Sequence, residues 1–464
     1  MTALPKKDQR LTVSITELAY GGEGVGRVDG FVVFVPWAVP GDVVEVSVVQ
    51  RKRSYCRGKI ERFVEKSALR VEPPCPYFSR CGGCRWQNLS YDDQLKFKKL
   101  ILKNELKKEL ELIPAPEALH YRNKMEFTFG EGPDGLLLGL HKAGDFSQIV
   151  DLESCLLHTR EADRIFQVAR KFFQEKYRQG LSVYNKHNHQ GFLRYLILRS
   201  TQGKVLINLV GSNSDLPAAV QNEFVELMKA LPEAAGIIYS VSSSTSDAIK
   251  VDEEKLLWGK DVLQEKIGEI VYNIHSRTFF QTNSAGTRIL YDLVREYALQ
   301  AIAKNNNNKP VMLDLYCGVG SIGLYLADLA KNVIGVELVD EAIAQAKENA
   351  WTNGLKNTKF YAGDVGDWLN ERTEVRFREN IPIHMEKIDI LIIDPPRSGM
   401  TTKAIKRLLA VKARHIIYVS CNPTTMARDL QNMQDAGYEI QAQKGVDMFP
   451  QTYHMECVVL LERI

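Results

Sequence analysis

No apolar run in this 464-residue chain approaches the roughly 18–20 residues needed to span a bilayer. The first residues, Met1 to Asp8, include Lys6 and Lys7 with no apolar core behind them, so a secretory leader is not expected and the expected location is cytoplasmic. Charge of one sign is also lacking. Sixty Lys and Arg against 57 Asp and Glu leave a net +3, too little to name a partner. Repeats and low-complexity tails are absent, which argues against solenoids and disordered scaffolds. Cysteine is scarce, yet three of the eight, Cys75, Cys81 and Cys84, fall within one short loop. In a reducing compartment that spacing favours metal over disulfide.

What is present divides into blocks. Basic residues crowd Arg51-Lys52-Arg53, Arg57, Lys59 and Arg62, and again Lys96, Lys98, Lys99, Lys103, Lys107 and Lys108. Such clusters suit a polyanion or a solvated face. The β-rich runs Leu11–Leu18, Phe31–Pro36, Val43–Val49 and Tyr55–Phe63 are parted by glycine turns, among them Gly21–Gly26. They predict a five-stranded barrel of OB type over residues 1–66. Tyr91–Leu112 reads as a helix stopped before Pro114. Over 118–275, β-type runs with helices near Glu161–Tyr177 and Pro217–Ala230 predict a mixed α+β domain. After the polar linker Asn305–Asn308, strand and helix alternate regularly, with a helix expected over Ser321–Ala330. The chain closes with Tyr438–Lys444 and Glu456–Glu462 as an antiparallel edge, completing a doubly wound sheet. The charged stretch Arg372–Lys387 reads as a surface loop.

Gly318-Val319-Gly320-Ser321-Ile322-Gly323 follows a strand and opens a helix. Glycines there let the backbone approach a ligand, and the helix start offers free amide N–H groups. Glu337 ends the next strand, where a carboxylate can hydrogen-bond a ribose diol. A nucleoside cofactor is expected, and nicotinamide and S-adenosylmethionine enzymes share these features. Asp364 closes the third strand, where it can meet an adenine edge, and Asp394-Pro395-Pro396 closes the fourth. With the terminal hairpin, this combination resembles the class I S-adenosylmethionine-dependent methyltransferases and fits a dehydrogenase badly.

Cys421 sits in Ser420-Cys421-Asn422-Pro423, directly after the apolar run Ile416–Val419. A neutral pyrimidine carbon attacks a methyl sulfonium poorly. A thiolate bonded to C6 turns the ring into an enolate, whose C5 can take the methyl; a base must then remove the C5 proton. Cys421 is the thiol candidate, Asp394 is placed to bond the base edge, and Glu456, in His454-Met455-Glu456-Cys457, can supply the base. Cys317 and Cys457 are rivals better read as packing.

These residues carry a family resemblance. The chain is similar, along nearly its whole length, to the RNA uracil-5-methyltransferases, the group that includes the bacterial 23S rRNA 5-methyluridine synthases. Gly22-Glu23-Gly24-Val25-Gly26-Arg27 and Pro40-Gly41-Asp42 resemble a TRAM domain. Phe279-Phe280-Gln281-Thr282-Asn283, Asp314-Leu315-Tyr316-Cys317-Gly318, Asp394-Pro395-Pro396-Arg397, Ser420-Cys421-Asn422-Pro423 and His454-Met455-Glu456 match the family's blocks in order. The likeness implies Cys421 as nucleophile and Glu456 as general base. It implies Gln281, Tyr316, Glu337 and Asp394 at the cofactor, with Ser321 and Asp364 beside them. Ser321 stands where the family often has asparagine. Phe279 would stack on a flipped target uracil.

By the same likeness Cys155 joins Cys75, Cys81 and Cys84 as a fourth ligand, and the group held is a 4Fe–4S cluster. The thiols themselves leave zinc open. The resemblance also implies three domains, 1–66, 67–275 and 276–464, with 91–117 packed on the last. It implies RNA as partner, 23S rRNA before a T-loop uridine of tRNA, and no obligate protein partner. A different class of reading is an RNA-binding assembly factor with a dispensable methylase.

Overall fold

The computed structural model describes residues 5–212, 216–246, 249–304, 308–371 and 387–464. The linker Asn305–Asn308 and the stretch Arg372–Lys387 lie almost wholly outside the described residues. Strands β1 (Arg10–Leu18), β2 (Gly24–Val28), β3 (Phe31–Val35), β4 (Val43–Arg51) and β5 (Tyr55–Glu65) close a barrel in the order β1-β2-β3-β5-β4. Strand alternation builds it: Val13, Ile15, Val33, Val35, Val44 and Val46 turn inward while their neighbours face water. The expected barrel is there, but part of the glycine turn is strand. Gly24–Val28 pairs with both β1 and β3. A Cβ on Gly26 would run into the Ser14 carbonyl, so the glycine serves close packing between strands.

The next elements are α1 (Tyr91–Leu106), β6 (Glu111–Ile113), β7 (Lys124–Gly132), β8 (Gly135–Lys142), β9 (Asp145–Asp151), α2 (Arg160–Arg178), β10 (Leu193–Thr201), β11 (Lys204–Gly211), α3 (Ala218–Lys229), β12 (Ala234–Val241), β13 (Glu253–Gly259), β14 (Val262–Ile267) and β15 (Ile270–His275). Seven of the strands form a sheet, β13-β12-β11-β10-β7-β8-β9, antiparallel except between β11 and β12. Phe166, Phe173 and Phe224 of α2 and α3 fill one of its faces.

The remaining elements are α4 (Ser284–Lys304), β16 (Val311–Leu315), α5 (Ser321–Tyr325), β17 (Asn332–Glu337), α6 (Asp340–Thr352), β18 (Thr358–Ala362), α7 (Val365–Glu371), β19 (Ile390–Ile393), α8 (Thr402–Ala410), β20 (His415–Ser420), α9 (Pro423–Asp435), β21 (Tyr438–Val446) and β22 (Glu456–Arg463). They build an eight-stranded sheet in the order β18-β17-β16-β19-β20-β22-β21-β6. β16–β20 are parallel and β22 runs against both of its neighbours. Alternate residues feed two cores. Ile390, Ile392, Ile417 and Val419 pack toward α4, α5 and α6; Leu391, Ile393, Ile416 and Tyr418 pack toward α1, α8 and α9.

Several expectations need correction. The helix over Tyr91–Leu112 ends at Leu106, because Lys107 turns left-handed at φ 57°, and the chain then adds Glu111–Ile113 to β21 as the sheet edge. The helix from Ser321 stops at Tyr325 and gives way to a 3₁₀ turn at Ala327–Leu329. The 21-residue helix α4 was not anticipated. Lys98 belongs to no cationic face: it is buried, with Nζ 2.6 Å from Asp447 Oδ1. It also donates to the carbonyls of Phe449 and His454, at 3.1 and 2.9 Å. Arg57 and Arg62 are likewise engaged, by Glu23 and Glu45. No helix among the described residues is long and apolar enough to cross a membrane.

The buried pair Lys98–Asp447 fixes the segment between β21 and β22 onto α1. Lys98→Met leaves Asp447 buried without its counter-charge and is expected to cost about 3–5 kcal/mol. Adding Asp447→Leu should recover part of that loss. Urea denaturation of the single and double variants measures both; equal stability of wild type and Lys98→Met would show the pair to be dispensable.

Candidate active site

A cleft of about 2210 Å³ runs from the tips of the parallel strands to the central sheet. It exceeds the roughly 300–1,000 Å³ of a small-ligand pocket. Phe279, Gln281, Tyr316, Ser321, Glu337, Asp364, Asp394, Cys421 and Glu456 all line it. Sheet topology brings them together. Tyr316, Asp364, Asp394 and Cys421 follow the ends of β16, β18, β19 and β20, and Glu337 ends β17, so all sit at one edge. β22 runs the other way, and its pairing of Cys457 with Ser420 sets Glu456 beside Cys421.

The loop carrying the thiol is held on both sides. Asn422 caps α9, accepting from the amides of Thr424 and Thr425, and Pro423 takes the first helical position. The same Asn422 donates through Nδ2 to the Arg397 carbonyl at 2.9 Å, tying the thiol loop to the loop that follows Asp394. Burial pushes the Cys421 thiol up to about 11; the charges of Glu456 and Asp394 add to the rise, and Arg397 opposes it. Burial also holds the Asp394 and Glu456 carboxyls above the usual carboxylate range, and Asp394 raises Glu456 further. A thiol, two buried acids and a guanidinium at one strand edge can form a covalent adduct and accept a proton. Cys457 and Cys317 are buried, at 0% and 5% exposure.

The glycine turn is built to receive a ligand. Tyr316 takes φ 62°, rare for a side-chain-bearing residue and common where strain serves a site. Gly318 follows at φ 53° with open space where a Cβ would stand. Glu337 is held by three amides: Gly318 N donates to Oε2 at 3.2 Å, and Leu338 N and Val339 N to Oε1 at 2.8 and 3.1 Å. Asp364 accepts from Asp367 N at 2.9 Å, starting α7. The Tyr272 hydroxyl donates to the Ser321 carbonyl at 2.7 Å.

The cleft lining carries an acidic set that includes Glu337, Glu341, Glu348 and Asp364, and a basic set that includes Arg85, Arg122, Lys124, Lys142, Lys250 and Arg277, in which Lys124 is paired with Glu126 and Arg277 with Glu254. The first suits a cationic sulfonium and the second a phosphate chain. Phe279 stands 77% exposed in the cleft, as an unburied stacking surface would. The cleft cations escaped the sequence reading because they lie singly along the chain, without a cluster to mark them. Phe146, 73% exposed near the start of β9, also lines the cleft and was not singled out.

Cys75, Cys81, Cys84 and Cys155 reach the far end of the same cleft, close enough for charge on one to act on the others. Gly83 N donates to Cys81 Sγ at 3.4 Å and Gln87 Nε2 to Cys84 Sγ at 3.1 Å. Amide donors aimed at sulfur suit thiolate ligands. No group of three or more His, Cys, Asp or Glu among the described residues is gathered closely enough to hold a metal ion.

The tRNA (Uracil-5-)-methyltransferase family matches residues 90–464, and the TRAM domain matches residues 6–60. An uncharacterized RNA methyltransferase of Caldanaerobacter subterraneus subsp. tengcongensis is 39% identical, over 98% of this chain and 99% of its own length. One from Halalkalibacterium halodurans is 34% identical over 98% of this chain and 97% of its own. Among solved structures, the Pyrococcus abyssi tRNA (uracil-54, C5)-methyltransferase in complex with S-adenosyl-L-homocysteine matches with TM-score 0.74 and 30% identity. The match covers 97% of this chain and 100% of that one.

Proposed function

The chain belongs to the tRNA (uracil-5-)-methyltransferase family of S-adenosylmethionine-dependent RNA methyltransferases, and from that membership we propose that it methylates C5 of a uridine in 23S ribosomal RNA through a covalent adduct on Cys421. The observation that carries the chemistry is Cys421 set beside Asp394, Arg397 and Glu456 at one strand edge. Arg397 favours the thiolate. Its sulfur bonds to C6, the C5–C6 electron pair moves toward O4, and Asp394 hydrogen-bonds the pyrimidine edge. S-adenosylmethionine, when bound, supplies the electrophilic methyl group that C5 takes up. Glu456 then removes the C5 proton, the C5–C6 double bond re-forms, and the thiolate leaves. The thiolate is regenerated and one proton is released.

For the methyl donor, Glu337 would hold the ribose and Asp364 the adenine edge, with Gln281, Tyr316, Asp394 and Ser321 around them. The open space at Gly318 and the amide-fixed Glu337 fit such a group. Elsewhere in the cleft, Arg122, Lys124 and Arg277 would track phosphates and Phe279 would stack on the extruded uracil. The proposed division is a barrel over 1–66, a central domain over 67–275 and a methyltransferase domain over 276–464, with 91–117 serving the last. The pairing of β6 with β21 supports that assignment of 91–117.

A raised thiol sets the sign of a pH effect. Below about pH 11 the thiolate fraction grows roughly tenfold per pH unit. Alkylation of Cys421 by iodoacetamide, followed by peptide mapping of the RNA-free protein, should accelerate about tenfold per unit from about pH 7 to 10. A flat profile would mean that the thiol is already ionised.

The four cysteines are proposed to hold a 4Fe–4S cluster, with zinc the alternative. Four converging thiols, two of them accepting amide N–H bonds, support a bound group. Anaerobically purified protein should be brown, with about four irons per chain. Cys84→Ser should bleach it and weaken RNA binding more than binding of the methyl donor. A colourless protein with stoichiometric zinc would refute iron.

The preference for ribosomal RNA rests on the resemblance of the barrel and cysteine loop to the rRNA enzymes. A tRNA uridine is the second reading, favoured by the Pyrococcus abyssi tRNA enzyme, which matches along its whole length. Mapping 5-methyluridine in 23S rRNA and tRNA from cells lacking the protein decides between them, since only the true substrate loses the mark. Loss of the mark also excludes an assembly factor with a dispensable methylase.

A further inference from the structure

Tyr20 stands just beyond β1 in the barrel, yet its hydroxyl donates to the backbone carbonyl of Cys421 at 2.9 Å. Its ring meets Tyr453 edge-on at 5.4 Å, and Tyr453 in turn lies 4.1 Å from the ring of His454. Glu456 is two residues further on. The barrel loop is fixed from the other side as well, since Trp86 Nε1 donates to the Gly22 carbonyl at 3.2 Å. Gly22, at φ 84°, leaves no room for a side chain: a Cβ would stand 3.0 Å from the Tyr453 ring and 3.2 Å from Arg85. One loop of the barrel is therefore wedged between the segment bearing the thiol and the segment bearing the buried acid. A domain that served only to grip RNA at its surface would not need this contact.

The hydrogen bond falls where it matters. The Cys421 peptide lies between the end of β20 and the cap of α9, and Asn422 N already donates to Ser420 Oγ at 3.1 Å. With the neighbouring residues anchored, the Cys421 carbonyl is the remaining handle on the direction of the Cα–Cβ bond, and so of the sulfur. Burial pushes the Tyr20 phenol well above its ordinary value, which keeps the hydroxyl a neutral donor at every working pH.

We infer that Tyr20 is a positioning residue for the nucleophile, so that the amino-terminal barrel completes the catalytic centre as well as binding RNA. The inference rests on the reading of Cys421 as nucleophile. Tyr20→Phe keeps the ring on Tyr453 and removes only the hydroxyl. At saturating RNA, kcat for methylation and the rate of covalent trapping should both fall about tenfold. KM for RNA should stay within about twofold and the melting temperature should be unchanged. Turnover is read on a mixture of unmodified 23S and tRNA transcripts, and trapping on the same transcripts made with 5-fluorouridine, whose adduct has no C5 proton to lose, with wild type, Cys421→Ala and Tyr20→Phe in parallel. Unchanged kcat with raised KM would make Tyr20 an RNA contact and overturn the inference, as would trapping at the wild-type rate. If the wild type itself forms no adduct, the nucleophile reading fails first and this inference falls with it.

Discussion

Cys421→Ala is expected to lower methylation by on the order of 10⁴-fold or more while RNA affinity stays within a factor of about two. The size follows from the chemistry: without sulfur at C6, C5 of uracil has no enolate character and does not attack a methyl sulfonium. No other thiol can substitute. Cys457 is fully buried inside β22, and Cys317 packs beneath the glycine turn. RNA affinity is spared because the cations of the cleft wall, among them Arg122, Lys124 and Arg277, are untouched. The comparison is a filter-binding titration beside a methyl-incorporation assay. An alanine variant that methylates normally would point to direct methylation of a ring nitrogen, which needs no thiol.

The second large effect has the opposite character. Glu456→Gln is expected to accumulate a methylated protein–RNA adduct, because the C5 proton cannot be removed and sulfur cannot leave. Turnover should fall by roughly 10²–10⁴-fold. A burst of adduct on a denaturing gel, followed by very slow release, is the expected signature. Slow turnover with no adduct would move the proton acceptor elsewhere, Asp394 being the neighbouring acid.

Much of this site is legible in the sequence because strand tips announce themselves. Ile388–Ile393 before Asp394, broken only by Asp389, and Ile416–Val419 before Cys421 are apolar runs ended by proline-bearing turns, and a parallel sheet gathers such ends at one edge. Asn422-Pro423 reads in the same way once its capping role is seen, because those residue types start helices. The barrel follows from alternation, although β2 was hidden by glycines that look like turn and act as close-packing strand residues. Helix α4 carried its signal in Leu290, Val294, Tyr297 and Ala301 and was passed over.

Contacts between distant segments stayed hidden. Lys98 sits in a lysine-rich stretch and reads as solvated; only its burial against Asp447, 349 positions away, shows its task. The hydrogen bond from Tyr20 to Cys421 spans 401 positions and leaves no local mark. The cleft cations are single residues from several strands and loops. Composition and spacing report what each element is, whereas the site depends on which elements meet.

The most direct test is mass spectrometry of wild-type protein incubated with 5-fluorouridine-bearing RNA and S-adenosylmethionine, then digested with protease and nuclease. The expected product is a peptide spanning Cys421 that carries a methylated fluorouridine nucleotide on sulfur. Methylated RNA with no such peptide, or a nucleotide attached to any other residue, would contradict the account.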